Sequence, residues 1–476
     1  MTEQPRNYVP LLDKLGYGSG NLGAGVAMQV INSYLVFFAT AILGIPGSLA
    51  GLAVGISVFW DAVTDPLMGY FSDITRSRIF GRRHLYLIIG ALGIGLTVYL
   101  VWGINLDDSA ALKFALVMLY IILFKTAMTI YVTPYTALGA ELSPDYNERT
   151  SIQGIKTIFF LIGLALVSVA GMYFFFSPTP EYPIGQLNPH AYRRIGLAAS
   201  IIVLLSAALG YWATYKYIPR LNDRTIEVPQ GEIGKLLVDS LKGTFANLAF
   251  RAAAFSYLFN NLAAALISTI GLHVFTYTFH LSSKQIALVY AIQLILSILS
   301  QPIWALISRR VDKKPAMNLG LAFCGAGSIV FAGMVIFHGH IPGQLLPFVP
   351  YAILTGFGTG ALFTLPLSMV SDTIDLDEYH SGKRTEGFYF GSMTLYYKTS
   401  QAIAIFLIGI VLDLIHFDAT LPKQSASTAM GLGLLLALGS LCSFVLSYIF
   451  LRSYPLTEAK VQVIQAEIQR KKAAGN

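Results

Sequence analysis

The sequence has few charged residues. Asp, Glu, Lys and Arg make up 12% of its 476 residues, whereas soluble domains typically contain about 25%. Hydrophobic residues reach 55%, and the mean hydropathy is +0.62. This composition excludes an ordinary soluble domain and indicates a chain that is surrounded largely by lipid.

Cysteine is also scarce. Cys324 and Cys442 both lie in apolar runs, which excludes a disulfide framework, and no Cys/His spacing suggests a metal site. The net charge of +7 does not indicate nucleic-acid binding, because its distribution along the chain matters more than its sum. The first twelve residues are polar or mixed, and the apolar run after them is too long for a signal peptide. We therefore expect no cleaved leader.

Long apolar runs are abundant. A hydrocarbon core of roughly 30 Å requires about 20 apolar residues per helix. Such runs predict twelve spans, at 15–43, 48–72, 84–105, 112–140, 151–177, 194–218, 247–279, 284–308, 315–338, 345–371, 388–413 and 428–453. The expected organisation is two six-helix bundles, 1–218 and 247–453, with a central loop, 219–246, and a C-terminal tail, 454–476.

The short loops predict the orientation. The loops after the second and eighth spans, TRSRIFGRRH and SRRVDKK, are basic, whereas 43–48 and 337–344 carry no Lys or Arg. Since basic loops remain in the cytoplasm, both termini are expected there, in a multi-pass inner-membrane protein. Arg193 and Arg194 are an exception to this rule, because they lie in the loop between the fifth and sixth spans, on the opposite side of the membrane. The tail is expected to form a short surface helix.

The two halves resemble each other. Basic loops follow the second and eighth spans, and mixed-charge loops follow the fourth and tenth. Pro134 precedes Glu148-Arg149-Thr150 in one half, and Pro366 precedes Lys383-Arg384-Thr385 in the other. A parallel repeat of two six-helix bundles is typical of the major facilitator fold.

Two acids lie within the second span. Asp61 and Asp65 are four residues apart, and therefore lie on one face of a helix. Two such carboxylates at low dielectric cannot both remain charged unless a proton or a cation compensates one of them, which is the requirement of a coupling site. Na⁺ prefers oxygen ligands, so the neighbouring Thr64 is a further candidate. The alternative is a solvated helix end.

Three lysines also lie within spans. Lys156 and Lys398 each require an acid, a carbonyl cluster or an anionic substrate, unless they extend to the membrane interface. Lys125, in the fourth span, fits a packing or lipid-edge position as well as a functional one. Polar groups that are able to bind a hydroxylated solute, or to join helices, are Gln29, Asn32, Tyr131, Asn260 and Asn261, and Trp60 is able to stack on a sugar ring or to pack.

With these residues placed, nearly the whole chain resembles the glycoside–pentoside–hexuronide:cation symporters, the melibiose-permease group of the major facilitator superfamily. The motifs that carry the resemblance are KLGYGSGNLG, WDAVTDPLMGYFSDITRSRIFGRR, TPYTALGAELSPDYNERTSI, SDTIDLDEYHSGKRTEGFYFG and LYYKTSQA. WDAxxDPLMG followed by a basic loop is specific, and the eleventh-span lysine strengthens it.

The resemblance implies alternating-access symport with a cation site at Asp61 and Asp65, to which Thr129 contributes. Lys398 would couple that site to the solute pocket, and Lys156 would occupy the place of a family arginine. The chain departs from the melibiose-type pattern at Gly25 and Val132, where that pattern has aspartates. An anionic solute such as a uronide would balance the remaining lysines.

The substrate and the ion remain open at this stage. Sodium-dependent lysophospholipid transporters share the same motifs, so a lysolipid is the alternative to a sugar. The coupling ion is Na⁺ or H⁺, no other cofactor is expected, and nothing requires more than a monomer. An enzyme is not expected, because no His or Cys lies near the paired acids in sequence, and a channel would show a filter or pore-lining rings.

Charged residues at the predicted cytoplasmic loops suggest a gate. Salt bridges between basic and acidic loop residues would hold the cytoplasmic side shut in the outward-open state, although the arginines also fit a purely topological role. The candidate gate residues are Arg82, Arg83, Asp145, Glu148, Asp375 and Arg384.

Overall fold

The computed structural model contains only helices among the residues that it describes, which confirms the all-α prediction. The described residues are 9–75, 77, 79–81, 83–143, 146–219, 247–381, 386–418, 421 and 423–474.

The chain forms two compact units. The first comprises Met1–Gly231 with Asp418–Thr420, and the second comprises Glu232–Phe417 with Leu421–Asn476. Most of the predicted central loop, from residue 220 to 246, lies outside the described residues, so the predicted domain boundaries stay a prediction.

The described residues of the first unit form six long helices. Helix α5 continues through a π-helical segment, Leu166–Gly171, and a last turn, Met172–Phe175. The bounds are α1 Leu11–Phe37, α2 Gly47–Ile74, α3 His84–Leu100, α4 Ala110–Glu141, α5 Tyr146–Ala165 and α6 Pro189–Thr214.

The second unit repeats this set and adds a C-terminal helix. Side chains of Asn247, Ser282 and Ser425 cap the first turns of three of its helices, which explains where those helices begin. The bounds are α7 Leu248–His273, α8 Ser283–Val311, α9 Lys313–Ile336, α10 Phe348–Ser381, α11 Glu386–Leu414, α12 Ala426–Leu451 and α13 Glu458–Ala474.

The same helix pairings build both units. In the first unit α1 packs on α5 and α6, α4 packs on α2 and α3, and α3 packs on α6. In the second unit α7 packs on α11 and α12, α10 packs on α8 and α9, and α9 packs on α12. Each helix of one unit therefore has a counterpart with the same neighbours in the other unit, as a parallel repeat requires.

Backbone irregularities repeat as well. Helix α1 ends in a π-helical turn, Phe38–Ile42, and α7 ends in the turn Val274–Thr278. A proline also lies inside α4 and α10, at Pro134 and Pro366. Since these features recur at matching places, they belong to the architecture of the repeat.

Eleven helices among the described residues are long and apolar enough to cross a membrane. In the remaining long helix of the first unit, α2, the stretch Gly47–Asp61 is apolar. The helix ends agree with the predicted spans within about five residues, except that α10 continues to Ser381 instead of 371. The polar end of α10 is not visible in hydropathy.

Candidate functional site

Helices α2 and α4 hold the paired acids between them. The Lys125 ammonium lies 3.2 Å from Asp61 Oδ2, and the Thr129 hydroxyl donates to Asp65 Oδ1 at 2.6 Å. Asp61 is only 4% exposed, Asp65 is half-buried, and Thr129 is buried. Both carboxylates therefore meet α4, each with a different partner.

Thr64 and Trp60, which are next to the two acids in the sequence of α2, have other hydrogen-bond partners. The Thr64 hydroxyl donates to the Trp60 carbonyl oxygen at 3.1 Å, within its own helix. The Trp60 indole nitrogen donates to Thr126 Oγ1 at 2.8 Å, which adds a contact between α2 and α4. Thr64 as a cation ligand, and Trp60 as a stacking residue for a sugar, stay predictions.

Neutral groups join the equivalent helix pair of the second unit, α8 and α10, at two described contacts. Gln293 donates to Thr355 Oγ1 at 2.8 Å, and the Trp304 indole donates to the Phe357 carbonyl oxygen at 2.7 Å. Neutral hydrogen bonds suffice to join these helices. The charges between α2 and α4 are therefore not a requirement of the fold, and a charge inside a membrane span is costly unless it has a function.

Lys156 lies between α5 and α4. Its ammonium donates to Thr136 Oγ1 at 2.7 Å and lies 5.5 Å from the centre of the Tyr135 ring. Among the described residues, no acid lies within salt-bridge distance of this ammonium. Lys156 is thus a cation within the span whose observed partners are a neutral hydroxyl and an aromatic face.

Stacked tyrosines support that position. Tyr17 and Tyr131 both stack on Tyr135, with ring centres 4.5 and 5.4 Å from the centre of its ring. The Tyr131 hydroxyl donates to the Gly20 carbonyl oxygen at 2.9 Å, and Tyr17 and Tyr135 bond to each other's backbone oxygens. These bonds fix α1 against α4, so Tyr131 has a clear structural role, and a role in solute binding stays a prediction.

Gly25 marks a close approach of α1 and α5. A Cβ atom at this position would lie 2.4 Å from the Phe160 carbonyl oxygen, and one at Gly163 would lie 2.4 Å from the Leu22 carbonyl oxygen. The two backbones thus touch where melibiose-type members are expected to carry an aspartate. No larger side chain fits there without moving a helix, so this chain has no room for that residue.

The remaining polar candidates of α1 have different environments. Gln29 donates to Ser33 Oγ and to Ser168 Oγ, and so joins α1 to α5. Asn32 is half-buried. These environments do not show whether Gln29 or Asn32 contacts the solute. A role in solute binding stays a prediction for both residues.

Three candidates lie in the second unit. Asn261 donates to the Tyr257 carbonyl oxygen at 2.8 Å, within α7. Its neighbour Asn260 is 4% exposed, and neither atom of its amide has a hydrogen-bond partner among the described residues. Lys398 is half-buried on α11. The coupling role of Lys398 stays a prediction.

The gate candidates form contacts inside each unit. Arg83 donates to Glu141 Oε1 at 2.8 Å and to Ser72 Oγ at 2.5 Å, which links the α2–α3 loop to α2 and α4. Glu148 pairs with Lys14 at 2.8 Å. The sequence reasoning missed Glu141 and Lys14, although both charges lie next to apolar runs. Arg82, Asp145 and Arg384 lie outside the described residues.

The second unit has a matching contact. Lys313 pairs with Asp372 at 2.7 Å, between the start of α9 and α10, in the place that Arg83 and Glu141 occupy in the first unit. Asp375 accepts a bond from Gln465 of α13 at 2.7 Å. In each unit, a salt bridge therefore links the start of the third helix to the fourth helix. The gate itself stays a prediction.

Replacing Arg83 with Ala is expected to destabilise the protein. The side chains of Arg83 and Glu141 are 5% and 13% exposed, and breaking a buried pair from one side costs about 3–5 kcal/mol. The thermal unfolding midpoint in detergent measures this effect. Arg193→Ala is the control, since Arg193 donates an exposed bond to the Gly103 carbonyl oxygen. Equal midpoints for the two variants would contradict the prediction.

The described residues form two repeated six-helix units, in which eleven helices are apolar enough to cross a membrane and charges lie between α2 and α4; this architecture is that of a membrane transporter of the major facilitator superfamily. The chain belongs to the family described as MFS/sugar transport protein, which matches residues 16–458. This match confirms the resemblance to the cation symporter group and the expectation of a transporter instead of an enzyme.

Relatives and solved structures agree with this assignment. The chain is 27% identical to an uncharacterized symporter of Synechocystis, over 86% of this chain and 87% of the relative. It is 22% identical to the sodium-dependent lysophosphatidylcholine symporter 1-A of Danio rerio, over 94% and 86%. The inward-open xylose transporter XylE of E. coli shares the fold, with a TM-score of 0.61, 16% identity, and coverage of 95% and 98%.

Proposed function

We propose that this transporter couples the uptake of an anionic, sugar-like solute such as a uronide to a cation gradient by alternating access. The coupling ion is Na⁺, with H⁺ as the alternative. The protein works as a monomer in the cytoplasmic membrane. Both of its termini lie in the cytoplasm, an orientation that the basic loops support.

The observation that carries this proposal is the environment of Lys156. Its ammonium lies within a membrane span, contacts Thr136 and the Tyr135 ring, and has no acid within salt-bridge distance among the described residues. A cation in such a place is most stable when an anion binds next to it. A carboxylate on the solute supplies that anion.

The acids on α2 supply the other half of the mechanism. Asp61 is paired with Lys125, whereas Asp65 is held by the neutral Thr129 hydroxyl. A carboxylate and a hydroxyl are the oxygen ligands that hard cations such as Na⁺ prefer. Binding of a cation and an anionic solute together compensates both charges, so the loaded carrier rearranges at lower cost than the half-loaded one.

The relative from Danio rerio favours a second candidate solute. Its name states that it transports a lysophosphatidylcholine with sodium, and a phosphate on such a lipid is also an anion. Lys156 is able to bind the carboxylate of a uronide or the phosphate of a lysolipid. A binding experiment is therefore needed to distinguish the two solutes.

The test is thermal unfolding of the purified protein with uronides, neutral glycosides and lysophospholipids, each in Na⁺ and in K⁺. A ligand at about 100 times its Kd stabilises the folded state by about 2.7 kcal/mol. We expect uronides to raise the midpoint, more in Na⁺ than in K⁺. Lys156→Gln should abolish this shift, whereas Lys113→Gln should retain it, since Lys113 only donates to the Leu43 carbonyl oxygen.

Other outcomes would change the proposal. A shift confined to lysophospholipids would replace the sugar with a lipid. Equal shifts in Na⁺ and K⁺ would overturn sodium coupling, and an unchanged uronide shift in Lys156→Gln would overturn the role of this lysine.

A further inference from the structure

The ammonium of Lys125 already lies where a coupling cation would approach Asp61. The Nζ–Oδ2 distance is 3.2 Å, and the side chains of Asp61 and Lys125 are 5% and 22% exposed. Asp65 follows one turn later on the same face of α2, and bonds to Thr129, which lies one turn after Lys125 on α4. Both carboxylates and the lysine thus belong to one short stretch of the α2–α4 contact.

This contact is longer than four other ion pairs between described residues. Its nitrogen–oxygen distance is 3.2 Å, whereas Lys14–Glu148, Arg83–Glu141, Lys216–Asp13 and Lys313–Asp372 measure 2.7–2.8 Å. Charge-assisted bonds typically measure about 2.7–2.9 Å. The ammonium therefore compensates the charge of Asp61 without a tight bond, an arrangement that permits exchange.

The second unit argues against a purely structural role for Lys125. Its α8 and α10 meet through the neutral pair Gln293 and Thr355, at 2.8 Å, with the same helix neighbours as α2 and α4. A lysine and an acid are thus not needed to join this pair of helices. An ion pair in such a place is no better for stability than apolar packing, so its presence requires another explanation.

We propose that Lys125 is a built-in counter-cation that sets how tightly the Asp61–Asp65 site binds its coupling ion. The inference rests on the proposed sodium coupling. With Lys125 in place, the formal charge of the three side chains is −1, which suits one monovalent cation. Without it the charge is −2, and the attraction for Na⁺ increases.

The proposal predicts an order of Na⁺ affinities. Lys125→Gln should lower the half-saturating Na⁺ concentration by about tenfold or more, because an opposing charge is removed at close range. Asp61→Asn should raise it by about tenfold or more, since the ammonium then faces Asp65 without its partner. The double variant Asp61→Asn/Lys125→Gln restores the formal charge of −1 and should lie within about threefold of the parent.

The experiment titrates purified full-length protein with NaCl, at constant ionic strength in choline chloride. The unfolding midpoint and the binding of radiolabelled Na⁺ are both recorded. Lys113→Gln, which removes a lysine near the start of α4, is the matched control and should behave as the parent. Lys125→Arg keeps the charge and should not increase Na⁺ affinity.

The comparison of Asp61→Asn with the double variant carries the test even when Lys125→Gln does not fold. These two proteins differ only at Lys125, and neither leaves Asp61 as an unpaired buried acid. Equal Na⁺ affinities in the two would overturn the role of Lys125, as would weaker binding in Lys125→Gln. Absence of any Na⁺ response in the parent and in all variants would instead overturn sodium coupling, and this inference with it.

Discussion

Asp65→Asn is expected to abolish cation-driven accumulation of solute. Asp61 is already compensated by Lys125, so Asp65 supplies the charge that attracts the coupling ion. Asn has the same shape and is able to accept the Thr129 hydroxyl bond, so the fold is retained. Loss of a charged partner in a desolvated site costs about 2–5 kcal/mol, which corresponds to about 30-fold to 4,000-fold in affinity.

Uptake into proteoliposomes with and without an inward Na⁺ gradient measures this effect. Thr129→Val is the companion variant, because it removes one neutral donor and leaves the charge, and its loss should be about tenfold. Exchange of solute at equal concentrations should survive in Asp65→Asn, since that reaction does not need a gradient. Normal gradient-driven uptake in Asp65→Asn would show that the ion binds elsewhere.

Gly163→Ala is expected to destabilise the protein. Its new Cβ would lie 2.4 Å from the Leu22 carbonyl oxygen and 2.9 Å from the Val26 nitrogen, so α1 and α5 must separate. Overpacking of this kind typically costs about 1–3 kcal/mol, and backbone atoms cannot turn aside as a side chain can. The unfolding midpoint should fall by about 1–3 °C, because the unfolding entropy of a 476-residue chain is large.

Gly154→Ala provides the control on the same helix. A Cβ at Gly154 meets no atom within 4 Å, so the substitution should leave the midpoint unchanged or raise it slightly. Equal effects at the two glycines would show that α1 and α5 do not touch as described. An aspartate at Gly25 should likewise fail to create a melibiose-type pocket, because the Phe160 carbonyl oxygen occupies the space.

The sequence predicted the helices well because hydropathy reports directly on lipid exposure. It did not predict where α10 ends, since Asp372 and Asp375 continue this helix beyond its apolar part to Ser381. The repeat was visible from loop charges and prolines. The π-helical turns were not visible, because they depend on backbone bonds that no residue type specifies.

The paired acids were also recognisable, because a charge within a span is conspicuous. Their partners were not. Lys125 was compatible with packing, lipid or function until α4 was placed against α2, and Thr136 gave no signal as the partner of Lys156. Such contacts depend on which helices are neighbours and on their rotation, and periodicity within one helix contains neither.

The indole of Trp60 offers a way to observe this site by light. It is 42% exposed, bonds to Thr126, and directly precedes Asp61, whereas Trp102 and Trp304 are buried and Trp212 is 72% exposed on α6. A protein that retains only this indole, with Phe at the other three positions, would carry one fluorophore next to the carboxylates. Its emission would then follow ion binding in real time without any attached dye.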